Sequence, residues 1–232
     1  MNPGHRPAYH ATMWISTDRR VVAGVLLSAG LALAACRSTY YKTMEVFGQH
    51  KRDMLVDAVE VARDDQEQAK EQFKTALDRF REVVQVDGGA LEANYKKLNT
   101  ELKRCEAEAN DVRGRIDTIE TVADDLFDEW ERELGQYSSP DLRRSSEAKL
   151  RETRRRADDL IGAMQRAEGK MDPVLTAFRD QVLFLKHNLN AQAIASLEDE
   201  TASLEQDVAR LIAEMEASIA EANEFIDAMG AT

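Results

Sequence analysis

Between Leu91 and Trp130 the apolar residues keep one spacing without a break. Leu91, Tyr95, Leu98, Leu102, Cys105, Ala109, Val112, Ile116, Ile119, Ala123, Leu126 and Trp130 alternate steps of four and three residues over twelve positions. A repeat of 3.5 residues keeps one stripe of an α-helix against a partner when the helices supercoil left-handedly about each other. A strand would need a period of two, so this segment is excluded from a sheet. The seam begins after Gly88-Gly89 and ends near Leu134-Gly135, where glycine suits a helix C-terminus.

The flanking segments carry companion stripes. The first holds Leu55, Ala58, Ala62, Ala69, Phe73, Ala76, Phe80 and Val83, with Asp65 as a polar gap. Counting from the turns sets Asn110 and Gln165 at a similar level, so the three are expected to form a polar layer that fixes register. Ser138-Ser139-Pro140-Asp141 is a helix-start signal: serine at the cap, proline in the first turn, an acid beside it. Leu150, Ala157, Leu160, Met164, Met171, Leu175, Phe178, Val182, Leu185 and Leu189 follow, with a kink or break expected at Gly169 to Pro173 because proline lacks the donor. Leu197, Thr201, Leu204, Val208, Leu211, Met215, Ala222, Phe225 and Met229 form the last stripe. The steps Val182 to Leu185 and Thr201 to Leu204 lie 19 residues apart. At about 100° per residue that offset turns the apolar face by roughly 100°, so a break is placed within 187–190. The expected fold is all-α: an elongated antiparallel helical bundle or coiled coil of three to four long helices. Four are favoured, over about 39–86, 90–134, 140–187 and 191–229, running up-down-up-down. A three-helix version leaves a long stripe bare and demands a dimer.

Ahead of the bundle, Arg19-Arg20 precedes a 15-residue apolar run, Val21 to Ala35, that ends in Leu33-Ala34-Ala35-Cys36. A basic flank, a short apolar core and small residues are the parts of an export signal. In helix such a run covers roughly 22 Å, short of the ~30 Å hydrocarbon core. The tetrapeptide resembles the lipobox of bacterial lipoproteins. That resemblance implies cleavage of residues 1–35, acylation of Cys36 and a short tether over 36–38. It also implies the outer membrane's periplasmic leaflet, because Arg37 stands where inner-membrane retention uses Asp. The alternative is an uncleaved signal anchor in which Cys36 is an ordinary residue. Translation from Met13 would shorten the flank.

Removing that segment takes Arg6, Arg19, Arg20 and Asp18, and moves the formal charge from −12 to −14. Such a surface is a poor match for nucleic acid. Beyond Cys36 only Cys105 remains as a thiol, so no internal disulfide is expected. Its place on the seam points to a buried, inert thiol. His50 and His187 are the remaining histidines and neither sits in a Glu-x-x-His pair, so no metal and no cofactor beyond the acyl chains is expected. No phosphate cradle or nucleophile elbow appears, and no catalytic residue is assigned.

One basic cluster stands out: Arg143, Arg144, Lys149, Arg151, Arg154, Arg155 and Arg156. Its ordinary explanation is surface pairing and interhelical pairing with Asp124, Asp125, Asp128, Glu129, Glu131 and Glu133 of the preceding helix. Contact with a polyanion or anionic lipid headgroups is the functional one. Two further segments, Tyr41 to Val56 and Leu185 to Leu197, resemble a family of bacterial envelope proteins, domain of unknown function family 2959, and the likeness extends over most of the chain after Cys36. It implies a helical, lipoprotein-like envelope protein and carries over no catalytic residue. The expected function is a membrane-anchored, non-enzymatic scaffold or adaptor, with a protein partner or self-association through its helices. The alternative is a ligand-responsive helical module of the periplasm.

Overall fold

The computed structural model describes residues 51–84, 91–188 and 191–230, with the side chains of 191–196, 198 and 199 left aside. The export-like segment, Cys36, the start expected near residue 39, Gly88-Gly89 and Leu189 lie outside the described residues. Four helices follow one another: α1 (Lys51–Val84), α2 (Leu91–Leu134), α3 (Pro140–His187) and α4 (Ala191–Gly230). At 1.5 Å per residue they span about 50 to 70 Å. No described residue lies in a strand, and no helix among them is long and apolar enough to cross a membrane.

Each helix packs against its neighbours in sequence, and α1 also packs against α4, which closes a ring. Cross-helix contacts give the direction of each pair. Lys51 meets Glu129 at 2.5 Å, and Gln72 donates to Glu101 at 2.8 Å, so α1 and α2 are antiparallel. Arg154 meets Glu131 and Arg179 meets Glu106, both at 2.6 Å, which sets α2 against α3. Arg63 reaches Asn223 and Arg81 reaches Glu205, which runs α4 antiparallel to α1. Across the core Phe80 and Phe178 meet edge to face, with ring centroids 6.5 Å apart.

The α2 seam is realised in full. Leu98 through Ala123 are its buried members, and Leu91, Tyr95, Leu126 and Trp130 pack half-buried at its ends. In α3 the helix is unbroken over the expected span 140–187, so of the kink or break expected at 169–173 the break does not occur. Proline costs a helix interior about 3 kcal/mol. Here Ala167, Met171, Val174, Leu175 and Phe178 are buried on either side of it, and their packing holds the backbone. At the other end Asn188 closes α3, its backbone N–H and its Nδ2 both directed at the Phe184 carbonyl. With α4 starting at Ala191 the described residues form four helices, and the three-helix version is rejected.

The polar layer is not the one the spacing suggested. Asp65 sits at the rim and accepts from Arg115 Nε at 2.6 Å, while Asn110 and Gln165 are exposed. The residue inside is Gln66, 1% exposed, whose Oε1 accepts from Ser218 Oγ at 2.9 Å. In α1 the buried positions include 55, 59, 62, 66, 69, 73, 76, 80 and 83, an unbroken 4-3 series flanked by buried Lys70, Leu77 and Val84, with Val59 in the place given to Ala58. The α4 positions 197, 201, 204, 208, 211, 215, 218, 222, 225 and 229 make a second such series, buried throughout except for the half-buried Thr201. Gln66 and Ser218 are the two seam members that meet as a polar pair.

Gln66 Nε2 has no hydrogen-bond partner although it is buried. A buried, unsatisfied polar group costs about 1–3 kcal/mol, whereas apolar replacement of both partners is neutral or stabilising. The double change Gln66→Leu with Ser218→Ala is therefore expected to raise the melting temperature by roughly 2 to 8 °C. Ser218→Ala alone, which strips the amide of its remaining bond, is expected to lower it. Thermal melts followed by circular dichroism decide; a double variant that melts below Ser218→Ala contradicts the assignment.

Candidate functional site

The basic cluster occupies the first turns of α3. Ser139 builds its start: the serine is extended at φ −88° and ψ 118°, its Oγ accepts from Leu142 N at 3.4 Å, and its carbonyl accepts from Arg143 N at 3.0 Å. Pro140 supplies a preset φ and Asp141 an acid at the positive end of the helix dipole. Trp130 fixes the α2–α3 corner by donating its indole N–H to Ser146 Oγ at 2.8 Å.

From there the arginines find partners mostly along their own helix. Arg144 pairs with Asp141, Arg151 with Glu147 at 3.1 Å, Arg155 with Asp159 at 2.9 Å and Arg156 with Glu152 at 2.8 Å. The hydrogen bond from Arg156, reinforced by Lys149, holds the Glu152 carboxyl below its ordinary range. Only Arg154 reaches the acidic end of α2, at Glu131. Its guanidinium also lies 5.0 Å from the Phe127 ring centroid, a cation–π contact. Expected pairing with the α2 carboxylates is thus largely replaced by i, i±3 and i, i±4 pairs, which bring side chains to 5–6 Å without crossing a helix gap. Glu129 is instead taken by Lys51. Arg143 and Lys149 have no ion pair among the described residues.

Across the other flank lies the last helix. A furrow of about 250 Å³ between α3 and α4 is lined by Arg155, Arg156, Asp159, Glu221, Glu224 and Phe225. Arg210 is the sole basic residue of α4, among many acids. The cluster therefore supplies the opposite charge beside which α4 lies. The charge imbalance of α4 was there in the sequence and identifies this partner; attention to α2 alone misses it.

The remaining candidates give no convergent chemistry. Among the described residues no three His, Cys, Asp or Glu side chains gather in a way that would hold a metal ion. Cys105 is fully buried, its Sγ 3.7 Å from the Gln72 carbonyl, and burial pushes its pKa up to about 12. Arg113 links α2 to α3 through Glu168 and Asp172, both at 2.6 Å, beside a second open furrow that includes Ile116 and Gln165. Cys36 and Leu33, Ala34 and Ala35 fall outside the described residues.

With the bundle described, the family match places it. Residues 40–229 match the family described as protein of unknown function (DUF2959). The chain belongs to that family. No curated protein and no solved structure matches the chain.

Two outcomes follow for the residues of this region. Arg154→Ala loses an interhelical pair and a ring contact, each worth about 0.5–1 kcal/mol, so it should cost about 1–2 kcal/mol, against about 0–0.5 for Arg155→Ala. Equal melting temperatures for the two variants would show that Arg154 does not tie α3 to α2. For Cys105, the raised native pKa favours the protonated thiol in the folded state. Its contribution to stability is complete below the unfolded thiol's value near 9 and is lost as pH rises from there toward about 12. In neutral buffer, disulfide reagents should modify it at least about a hundredfold slower than in denatured protein; rapid labelling of the native chain contradicts the burial.

Proposed function

We propose that this protein is a lipid-anchored, non-enzymatic coiled-coil scaffold or adaptor of the bacterial cell envelope. The observation that carries the reading is Leu33-Ala34-Ala35-Cys36 at the end of a short apolar run behind Arg19-Arg20. Cleavage before Cys36 and acylation of its thiol and amine would leave a mature chain held by several acyl chains. Two or more chains anchor a protein stably, at about 0.8 kcal/mol per buried CH₂, where one chain does not. Arg37 in place of Asp favours the periplasmic face of the outer membrane.

What supports the scaffold part is the way the described helices spend their surfaces. The apolar side chains form one continuous core, and the furrows between helices are open and lined mainly by side chains of both charges. Long charged flanks suit contact with partner helices or a second copy better than enclosure of a small molecule. The ligand-responsive reading retains one supporting observation, the buried and half-satisfied Gln66 amide at the α1–α4 seam. A ligand that shifts helix packing would act on such a layer.

The anchor is tested on Cys36. Intact-mass and peptide analysis of the protein from an envelope fraction should find an N-terminal Cys36 bearing acyl chains. Cys36→Ser should abolish labelling by radiolabelled fatty acid and leave the chain unprocessed or released. Unchanged labelling of that variant rejects the anchor. Recovery only with the inner membrane rejects the outer-membrane placement, and crosslinking in intact cells then identifies what the helices touch.

A further inference from the structure

The α2–α3 corner has a composition that neither packing nor the capping of α3 requires. Leu142 is 60% exposed and Tyr137 is 42% exposed, in an otherwise charged surface. A third-position helical residue is free to be polar, and serine already caps the turn, so no local rule asks for leucine. Next to Leu142 stands Arg143, exposed and without an ion pair among the described residues, then Arg144, exposed and paired with Asp141. An exposed aliphatic, a tyrosine and adjacent arginines at the tip of a rigid helical corner combine the groups that enter a lipid–water interface: apolar side chains reaching the acyl boundary, an amphipathic ring at headgroup level, cations on phosphate.

The place of the corner in the bundle fits the same occupant. Lys51 binds Glu129, and Arg52 binds the Met229 carbonyl, so the start of α1, the end of α2 and the end of α4 share one end. From Glu129 the α2 helix runs on to Leu134 before the corner, about 8 Å further by helical rise. The corner is therefore at the end from which the chain continues back toward Cys36, fifteen residues before Lys51. Fifteen residues reach at most about 50 Å. A protein with so strong a net negative charge is repelled by an anionic bilayer along its flanks, whereas the segment from Leu134 to Arg144 carries Arg143 and Arg144 against Asp141, with Glu133 beside Tyr137.

We propose that the α2–α3 corner is a membrane-contact site that seats Leu142 and Tyr137 at the boundary of an anionic phospholipid bilayer, with Arg143 and Arg144 on its phosphates. The contact stands the bundle end-on upon the lipid. It deepens the anchored reading but does not depend on the acyl group.

The test uses the full chain with Cys36→Ser and Leu142→Cys, nitroxide-labelled at residue 142 and mixed with phosphatidylcholine vesicles with or without phosphatidylglycerol. Buried Cys105 stays unlabelled in the native chain. Relaxation by oxygen against a water-soluble nickel complex reports whether the label is in lipid. Expected is a lipid-immersed label on the phosphatidylglycerol vesicles, while the same label at Val61→Cys, exposed on the flank of α1, stays in water. Reversing Arg143→Glu and Arg144→Glu should raise the lipid needed for half immersion by about fivefold per charge, since each cation near an anionic surface contributes about 1 kcal/mol, with helical content unchanged. A label at 142 that stays in water on both vesicle types overturns the proposal. So does immersion that is equal on phosphatidylcholine alone and indifferent to the charge reversal. Because the acyl group is absent from this protein, failure here is distinct from failure of Cys36 acylation, which is read by mass.

Discussion

The contact between α1 and α4 is the constraint on which the rest of the bundle depends. The other three interfaces join helices that follow one another in sequence, so short turns bring them together at little entropic cost. The α1–α4 interface joins segments whose contacting residues lie about 125 to 180 positions apart, as Arg81 with Glu205 and Arg52 with Met229. Without it the chain is a row of antiparallel hairpins with two bare stripes. With it the stripes face inward from four sides and a single core forms. Both helices carry 4-3 spacing without interruption, so their seams stay opposed along their length. Gln66 and Ser218 add a polar pair inside this interface. A slip of one heptad would set the glutamine against an apolar neighbour and leave its whole amide unpaired. The pair thus penalises the wrong registers more than it stabilises the right one.

Charge is distributed to the same end. The acidic α4 is flanked by α1, which offers Lys70 to Glu216 and Arg81 to Glu205, and by α3, which brings Arg155 and Arg156 to the furrow beside Glu221 and Glu224. Most of these groups are partly exposed, where a pair contributes only about 0–1 kcal/mol. Their effect is one of choice. An α4 packed elsewhere on the ring, or in the opposite direction, would bring its carboxylates to those of a neighbour. The apolar seam supplies the stability, and the charges select the arrangement.

Much of this was readable from residue spacing, and the misses have definite causes. The α2 stripe is made mostly of large apolar residues at heptad positions, which fixes its phase. In α1 the stripe contains many alanines, so spacing alone allowed Ala58 for Val59. It also read Asp65 as the gap, because a glutamine does not register as a core residue. The true seam is one residue over, and Asp65 at the rim is drawn out by Arg115. At Pro173, where a kink or break was expected, packing on both sides keeps the helix unbroken. In the basic cluster the residues were evident, but whether an arginine turns to its own helix or to its neighbour depends on the helix rotation, which the sequence does not print. Cys36 is the reverse case. The acylation proposed for it rests on a short sequence pattern outside the described residues, on which helix packing has no bearing.

The flanks and the ends of the bundle offer different things to a partner. Along the flanks the charged side chains are already engaged, as in Lys74 with Glu71, Lys96 with Glu92 and Arg79 with Glu82. Contact there exchanges one exposed pair for another, so the charge pattern of a flank selects which helix fits more than it adds affinity. Apart from Val61, the large exposed apolar side chains collect toward the helix ends: Tyr137 and Leu142 at one, Leu183 and Phe184 near the other. Removing such groups from water gains about 25 cal/mol for each Å² covered, with no pair to break first. Contact at the tips of the described bundle therefore gains more for each Å² covered than contact along its flanks.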